Sequence, residues 1–181
     1  MSGIAAQHEM RRAYAGGGPG IIVSGIVWGI AAYFVSRWDV RTGFIALFIG
    51  GMTIFPLAQL VCRKLLMRPA PSPHNAVGML GLESTIAMIA LLAAAWLMLP
   101  FRPDAVFPFA AIAVGTHYFA FATLYGDRTF WLLAAILTAI GTVALFEPAF
   151  ETLAVIIAVA VVELLTGLYL TLRERGAGPI R

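Results

Sequence analysis

The sequence predicts an all-α fold, a polytopic membrane bundle of six transmembrane helices with both termini cytoplasmic. Three observations predict it. Of the 181 residues, 61% are hydrophobic and only 12% charged, where a soluble domain carries roughly a quarter charged residues. The apolar residues fall in runs of about 20, the length at which a helix crosses the hydrocarbon core. Lys and Arg gather in alternate loops, which fixes an orientation. Mean hydropathy is +0.90, and no linker is long enough to divide the chain, so residues 1–181 read as a single integral membrane domain.

Met1 to Gly20 form a short polar head with Arg11 and Arg12, closed by Gly16-Gly17-Gly18-Pro19-Gly20. An Arg pair before an apolar run imitates a signal peptide. Here a second span follows and no small-x-small cleavage site precedes Arg37, so the first span, about 20–36, is read as uncleaved. Its Gly25-x-x-x-Gly29 spacing suggests tight helix packing. The second span, about 43–62, carries Gly50-Gly51 and Pro56, which predict local bending or an opened hydrogen bond. Pro69-Ala-Pro-Ser-Pro73 makes the following loop non-helical. A third span runs over about 76–99, with a start between 76 and 82. Pro100, Pro103 and Pro108 bracket a turn into the fourth, about 105–125. The fifth covers about 130–146, the Glu147-Pro148-Ala-Phe-Glu151 turn follows, and the sixth covers about 151–172, ahead of a basic tail, Arg173 to Arg181.

With six spans, the head, the second and fourth loops and the tail share one side and hold nine of the twelve Lys and Arg residues. Positive residues stay cytoplasmic, so both termini are expected inside. The same placement removes nucleic acid as the reason for the net charge of +3; the bilayer is the first partner. A single cysteine, Cys62, excludes an internal disulfide and a multi-cysteine metal site, and it reads as an inert thiol. Gly25, Gly29 and the Ala-rich third span are natural contact faces for a homodimer.

Candidate functional residues are the polar groups that lipid cannot satisfy. His117 shares a stripe with Ala110, Ala113 and Ala120, and small stripes let transmembrane helices approach; it is expected to face another helix, while Phe109, Tyr118 and Phe119 project elsewhere. Glu83 shares a face with Ala87, Ala90 and Ala94, and Glu163 with Ala160 and Gly167. At 1.5 Å per residue the three groups lie roughly 10 to 14 Å from the cytoplasmic helix ends, so one layer of proton-binding candidates is expected, supported by Ser24, Trp28 and Thr53. Within it His117 is expected to meet Glu163, with Glu83 as the alternative partner. One His with two Glu suits a divalent cation only weakly, and no cofactor is indicated. Tyr125, Tyr169, Trp38 and Trp131 read as interfacial anchors. Against a functional layer stands the ordinary role of such groups, interhelical hydrogen bonds worth roughly 0.6 kcal/mol each.

Soluble-enzyme signatures are missing: there is no P-loop, dinucleotide fingerprint, H-E-x-x-H or G-x-S-x-G. Pro19-Gly-x-x-Val-Ser24-Gly25-x-x-Trp28, Gly50-Gly-Met-x-Ile-Phe-Pro56-Leu57 and Gly115-x-His117-Tyr118-x-x-Phe121-x-x-Leu124-Tyr125-Gly126 resemble a family of small bacterial inner-membrane proteins, a domain of unknown function. The resemblance implies a bacterial six-helix membrane protein and supplies no activity, ligand or cofactor. Three readings stand open. The first is a small proton-coupled transporter or channel-like protein of an unidentified small molecule or ion. The second is a non-catalytic subunit or scaffold whose polar layer is structural. The third is an intramembrane enzyme or metal-binding protein.

Overall fold

The computed structural model describes residues 3–147 and 150–176. Positions 148–149 of the expected turn and 177–181 of the basic tail lie outside the described residues. Seven α-helices follow one another: α1 (Gly3–Ala13), α2 (Gly18–Arg37), α3 (Val40–Leu60), α4 (Gly78–Leu97), α5 (Val106–Tyr125), α6 (Thr129–Phe146) and α7 (Thr152–Gly176), with no strand among the described residues. The last six are long and apolar enough to cross a membrane, within a few residues of the expected spans. Pro56 lies inside α3 without ending it, and a π-helical turn, Val61–Leu65, prolongs that helix.

Most of the polar head is helical. α1 is held at the bundle end by polar contacts. Gln7 donates to the Thr123 carbonyl at 2.8 Å and Asn75 donates to the Ala6 carbonyl at 3.0 Å. Asn75 and the Ser72 N–H, at 2.7 Å, also bind Glu9 and hold its carboxyl below its usual range. Arg11 pairs with Glu174 at 2.6 Å, so the start of the chain and the end of α7 meet on one side, called here the terminal side. A tight turn joins α1 to α2 with Ala15, Gly16 and Gly17 at φ of 48°, 62° and 79°. Gly17 is needed there twice over, for its left-handed backbone and because a Cβ would lie 2.8 Å from the Tyr125 ring.

Adjacent helices pack in the order α3, α2, α7, α6, α5, α4, with α5 also touching α7. α3 and α4, the two ends of that series, make almost no contact with each other. Glycines set the closest approaches. A Cβ on Gly18 would lie 2.3 Å from Thr171 Oγ1, and one on Gly167 would lie 2.7 Å from the Ile22 nitrogen, which brings α2 and α7 nearly backbone to backbone. Gly115 and Gly141 do the same for α5 and α6, against Thr138 and the Pro108 carbonyl. Gly25 packs on Leu164 of the same chain and is closed to a second copy, whereas Gly29 meets nothing within 4 Å.

Candidate functional site

The tight α2–α7 seam carries Glu163 into the interior, where it is 0% exposed. Tyr118 of α5, itself buried, donates its hydroxyl to Glu163 Oε1 at 2.8 Å. Ser24 of α2 brings its hydroxyl to both groups, and Glu163 Oε2 has no hydrogen-bond partner. Three helices thus meet at one carboxyl. α6, the remaining neighbour of α7, has no titratable side chain at all.

Ser24 and Tyr118 also line a cavity of about 160 Å³ enclosed by α2, α3, α4 and α5. Its lining runs from Tyr14, Gly17, Cys62 and Tyr125 on the terminal side to Trp28, Leu47, Leu92 and Val114 deeper in, and so occupies the terminal half of the bundle. Among the described residues, no Lys, Arg, Asp or Glu is in the wall. His117 is, with its ring 4.4 Å from that of Phe121, beside the Ser84 backbone of α4, and with Nδ1 buried and unpartnered. Beyond the cavity the rings of Trp28, Phe107, Phe44 and Trp96 follow at centroid spacings of about 6 Å and form a plug. Trp96 also lines an open basin at the far end, with Asp39 and Arg41. An entirely apolar groove of about 460 Å³ separates α3 from α4, and Leu92 belongs to both groove and cavity.

The described residues include no group of three metal-ligating side chains, so the His117, Glu83 and Glu163 set is not assembled. A family of unknown function (DUF7010) matches residues 4–173 of the sequence. The chain belongs to DUF7010. No curated protein and no solved structure matches it. Membership in DUF7010 thus brings no activity, and the site must be read from its own chemistry.

Several expectations need correcting against the geometry. Tyr118, expected to project away, is the partner of Glu163; His117 points instead into the cavity and toward α4. The reason is a second face of α5, Ala111, Val114, Tyr118, Ala122 and Tyr125, which is buried throughout. Its spacing of three and four was visible in the sequence, and the bulk of the tyrosines disguised it. Glu83 is exposed on the outer side of α4 and outside the layer. Thr53 is exposed and bonds only to the Gly50 carbonyl of its own helix, at 2.7 Å. Tyr125 is no surface anchor: it is buried and stacked on Phe130 at 5.3 Å. Ser24 and Trp28 do lie at the site, and Tyr169, Trp38 and Trp131 are exposed. Tyr14, Thr85 and Cys62 are wall residues that the sequence did not single out for this role.

Proposed function

We propose that this multi-pass membrane protein is a proton-coupled carrier of a small solute, set in a bacterial inner membrane with both termini cytoplasmic. The observation that carries the reading is Glu163: a carboxyl wholly inside the bundle, bonded to Tyr118 in the cavity wall, with no cation beside it. Intramembrane ionisable groups mark ion and substrate paths by default, because their burial is too costly to be incidental, and Tyr118 and Ser24 stand between Glu163 and the cavity. Glu163 is the proton-carrying group in this reading, Tyr118 holds it through a hydrogen bond with Ser24 close by, and His117 lines the cavity beside them. The cytoplasmic placement of the termini rests on the Lys and Arg distribution.

A carrier must open to each side in turn, and the layout supplies both mouths. In this reading the cavity opens on the terminal side past Tyr14 and Tyr125, the aromatic plug closes its other end, and the open basin lies beyond. α3 and α4 are the wall that moves, since they touch little except α2 and α5 respectively.

The test is solute-driven proton movement in proteoliposomes that hold the purified protein and an internal pH dye, challenged with cationic, anionic and neutral small solutes. At least one class should move protons with the wild type, and Glu163→Gln should abolish that movement while the protein stays monodisperse. Absence of any solute-driven movement, or equal movement in Glu163→Gln, would contradict the reading and leave the polar layer as a structural bond.

A further inference from the structure

We propose that the solute is a small organic ammonium ion that binds in the cavity in place of the proton on Glu163, an assignment that rests on the carrier reading. Charge balance is the first ground. Everything polar that faces Glu163 is neutral or a weak acid: Ser24 from α2, Tyr118 from α5, and nothing titratable from α6. No Lys or Arg lines the cavity next to it. A buried carboxylate without a cation is strongly disfavoured, so its neutralising charge comes from outside as a proton or as a bound cation. The two are alternatives for one negative charge. Glu163 is fully buried and not itself in the cavity wall, where Tyr118 and Ser24 stand in front of it, so the ammonium ion acts on the carboxyl across the Tyr118 oxygen. When it binds, the carboxyl O–H bond breaks heterolytically, the proton leaves to water, and the carboxylate keeps the Tyr118 hydroxyl as donor.

The wall supplies the second ground. Trp28, Tyr118, Phe121 and Tyr125 line the space, with Tyr14 at its end already under the Arg63 guanidinium, 5.6 Å from the ring centroid, and aromatic rings attract a desolvated organic cation. An anion would meet the same ring faces with the unfavourable sign. Size and hydrogen bonding narrow the class further. About 160 Å³ is close to the volume of a dry cavity that accepts one benzene ring, about 150 Å³. The hydroxyl oxygens of Tyr118 and Ser24, both wall residues, are acceptors for an ammonium N–H. A primary amine on one ring, or an alkylammonium of similar bulk, fits these demands together.

Three probes of one size and different charge test the assignment: benzylammonium, benzyl alcohol and benzoate, titrated calorimetrically against the full-length protein in detergent and in several buffers. Benzylammonium should bind and release about one proton per protein, tightening about tenfold per pH unit where exchange is one for one. Benzyl alcohol should bind at least tenfold more weakly, and benzoate not at all. Glu163→Gln should weaken benzylammonium at least tenfold and remove the proton release; Tyr118→Phe, which keeps the carboxyl, should retain the release. Equal binding of the alcohol or benzoate, or unchanged benzylammonium binding by monodisperse Glu163→Gln, would overturn the proposal. If benzoate moves protons in proteoliposomes while benzylammonium does not bind, the carrier reading stands and the cation assignment falls. Binding with proton release but no transport of any solute does the reverse.

Discussion

α2 and α5 on one side, and α3 and α4 on the other, are equally helical and unequally embedded. In the membrane-crossing stretches of the spans containing α5 and α2, 61% and 50% of residues are buried; in those containing α3 and α4 the figures are 17% and 11%. Hydropathy does not explain the difference, since the exposed pair is only slightly the more apolar. Lipid solvates an apolar side chain as well as another helix does, so apolarity gives a span no reason to enter the bundle. Small residues and polar partners give it that reason. α2 and α5 have both, in Gly18, Gly25 and Gly115 and in Ser24 and Tyr118. α4, with its exposed Ala87, Ala90 and Ala94, has small residues without a helix against them. α3 has small residues packed on one side only, Gly43 and Gly50 against Val35 and Val27 of α2. The carboxyl therefore lies where the most helices meet, and α3 and α4, each packed chiefly on one neighbour, form the outer wall of the cavity.

The comparison can be broken first at its glycines. Gly18→Leu or Gly167→Leu drives a side chain into the opposing backbone, and overpacking costs about 1–3 kcal/mol, occasionally more. Monodisperse protein should be lost on size exclusion, while Gly29→Leu and Gly51→Leu, with nothing within 4 Å of a Cβ, should elute as the wild type does. If all four behave alike, the seams are not what holds the frame.

Polar substitutions sharpen it at smaller cost. Glu163→Leu strands the Tyr118 hydroxyl inside the bundle, a loss of about 1–3 kcal/mol in thermal or denaturant unfolding. Glu83→Gln and Thr53→Ala, both on exposed faces, should stay within about 0.5 kcal/mol. Destabilisation by Glu83→Gln as large as that by Glu163→Leu would put Glu83 in a contact that the single chain does not contain, such as the face of a homodimer.

The mildest effect concerns pH at the terminal side. Burial pushes the Asp127 carboxyl up, but the Thr129 N–H, the Arg173 guanidinium and the Thr129 hydroxyl outweigh it and hold the group below its ordinary value. Its contribution is complete above the unfolded value of about 3.9 and is lost as pH falls through the lower folded value. Acid should therefore loosen the Arg11, Asp127, Arg173 and Glu174 cluster before it affects the seams. Asp127→Asn should remove most of that acid step in a melting-temperature profile; an unaltered step would assign it elsewhere.

Much of this was legible in the sequence, and the misses share a cause. Run length fixed six spans to within a few residues, because the hydrocarbon thickness leaves helices little freedom. The buried Ser24, Trp28 and Glu163 followed from the cost of polar groups in lipid. Depth along a helix was readable; rotation about its axis was not. Glu83 and His117 both sit on alanine-bearing faces, yet Glu83 faces outward because no helix packs on that side of α4. Tyr118 was passed over for its bulk, although a long tyrosine is what reaches from α5 to a carboxyl on α7. The helical nature of α1 escaped because its order comes from contacts with Thr123 and Asn75, far away in the chain.

The claim that a fixed frame carries a titrating carboxyl beside a movable wall is tested most directly by distances between spin labels. One pair would sit on α3 and α4, at the exposed Ile49 and Leu97, and one on α2 and α7, at the exposed Ile26 and Leu165. Both pairs would be measured in nanodiscs across the pH range in which Glu163 gains and loses its proton. The account predicts that the α3–α4 distribution shifts with pH, that Glu163→Gln abolishes the shift, and that the α2–α7 distribution stays constant. An α3–α4 distance indifferent to pH, or an α2–α7 distance that moves with it, would contradict the account.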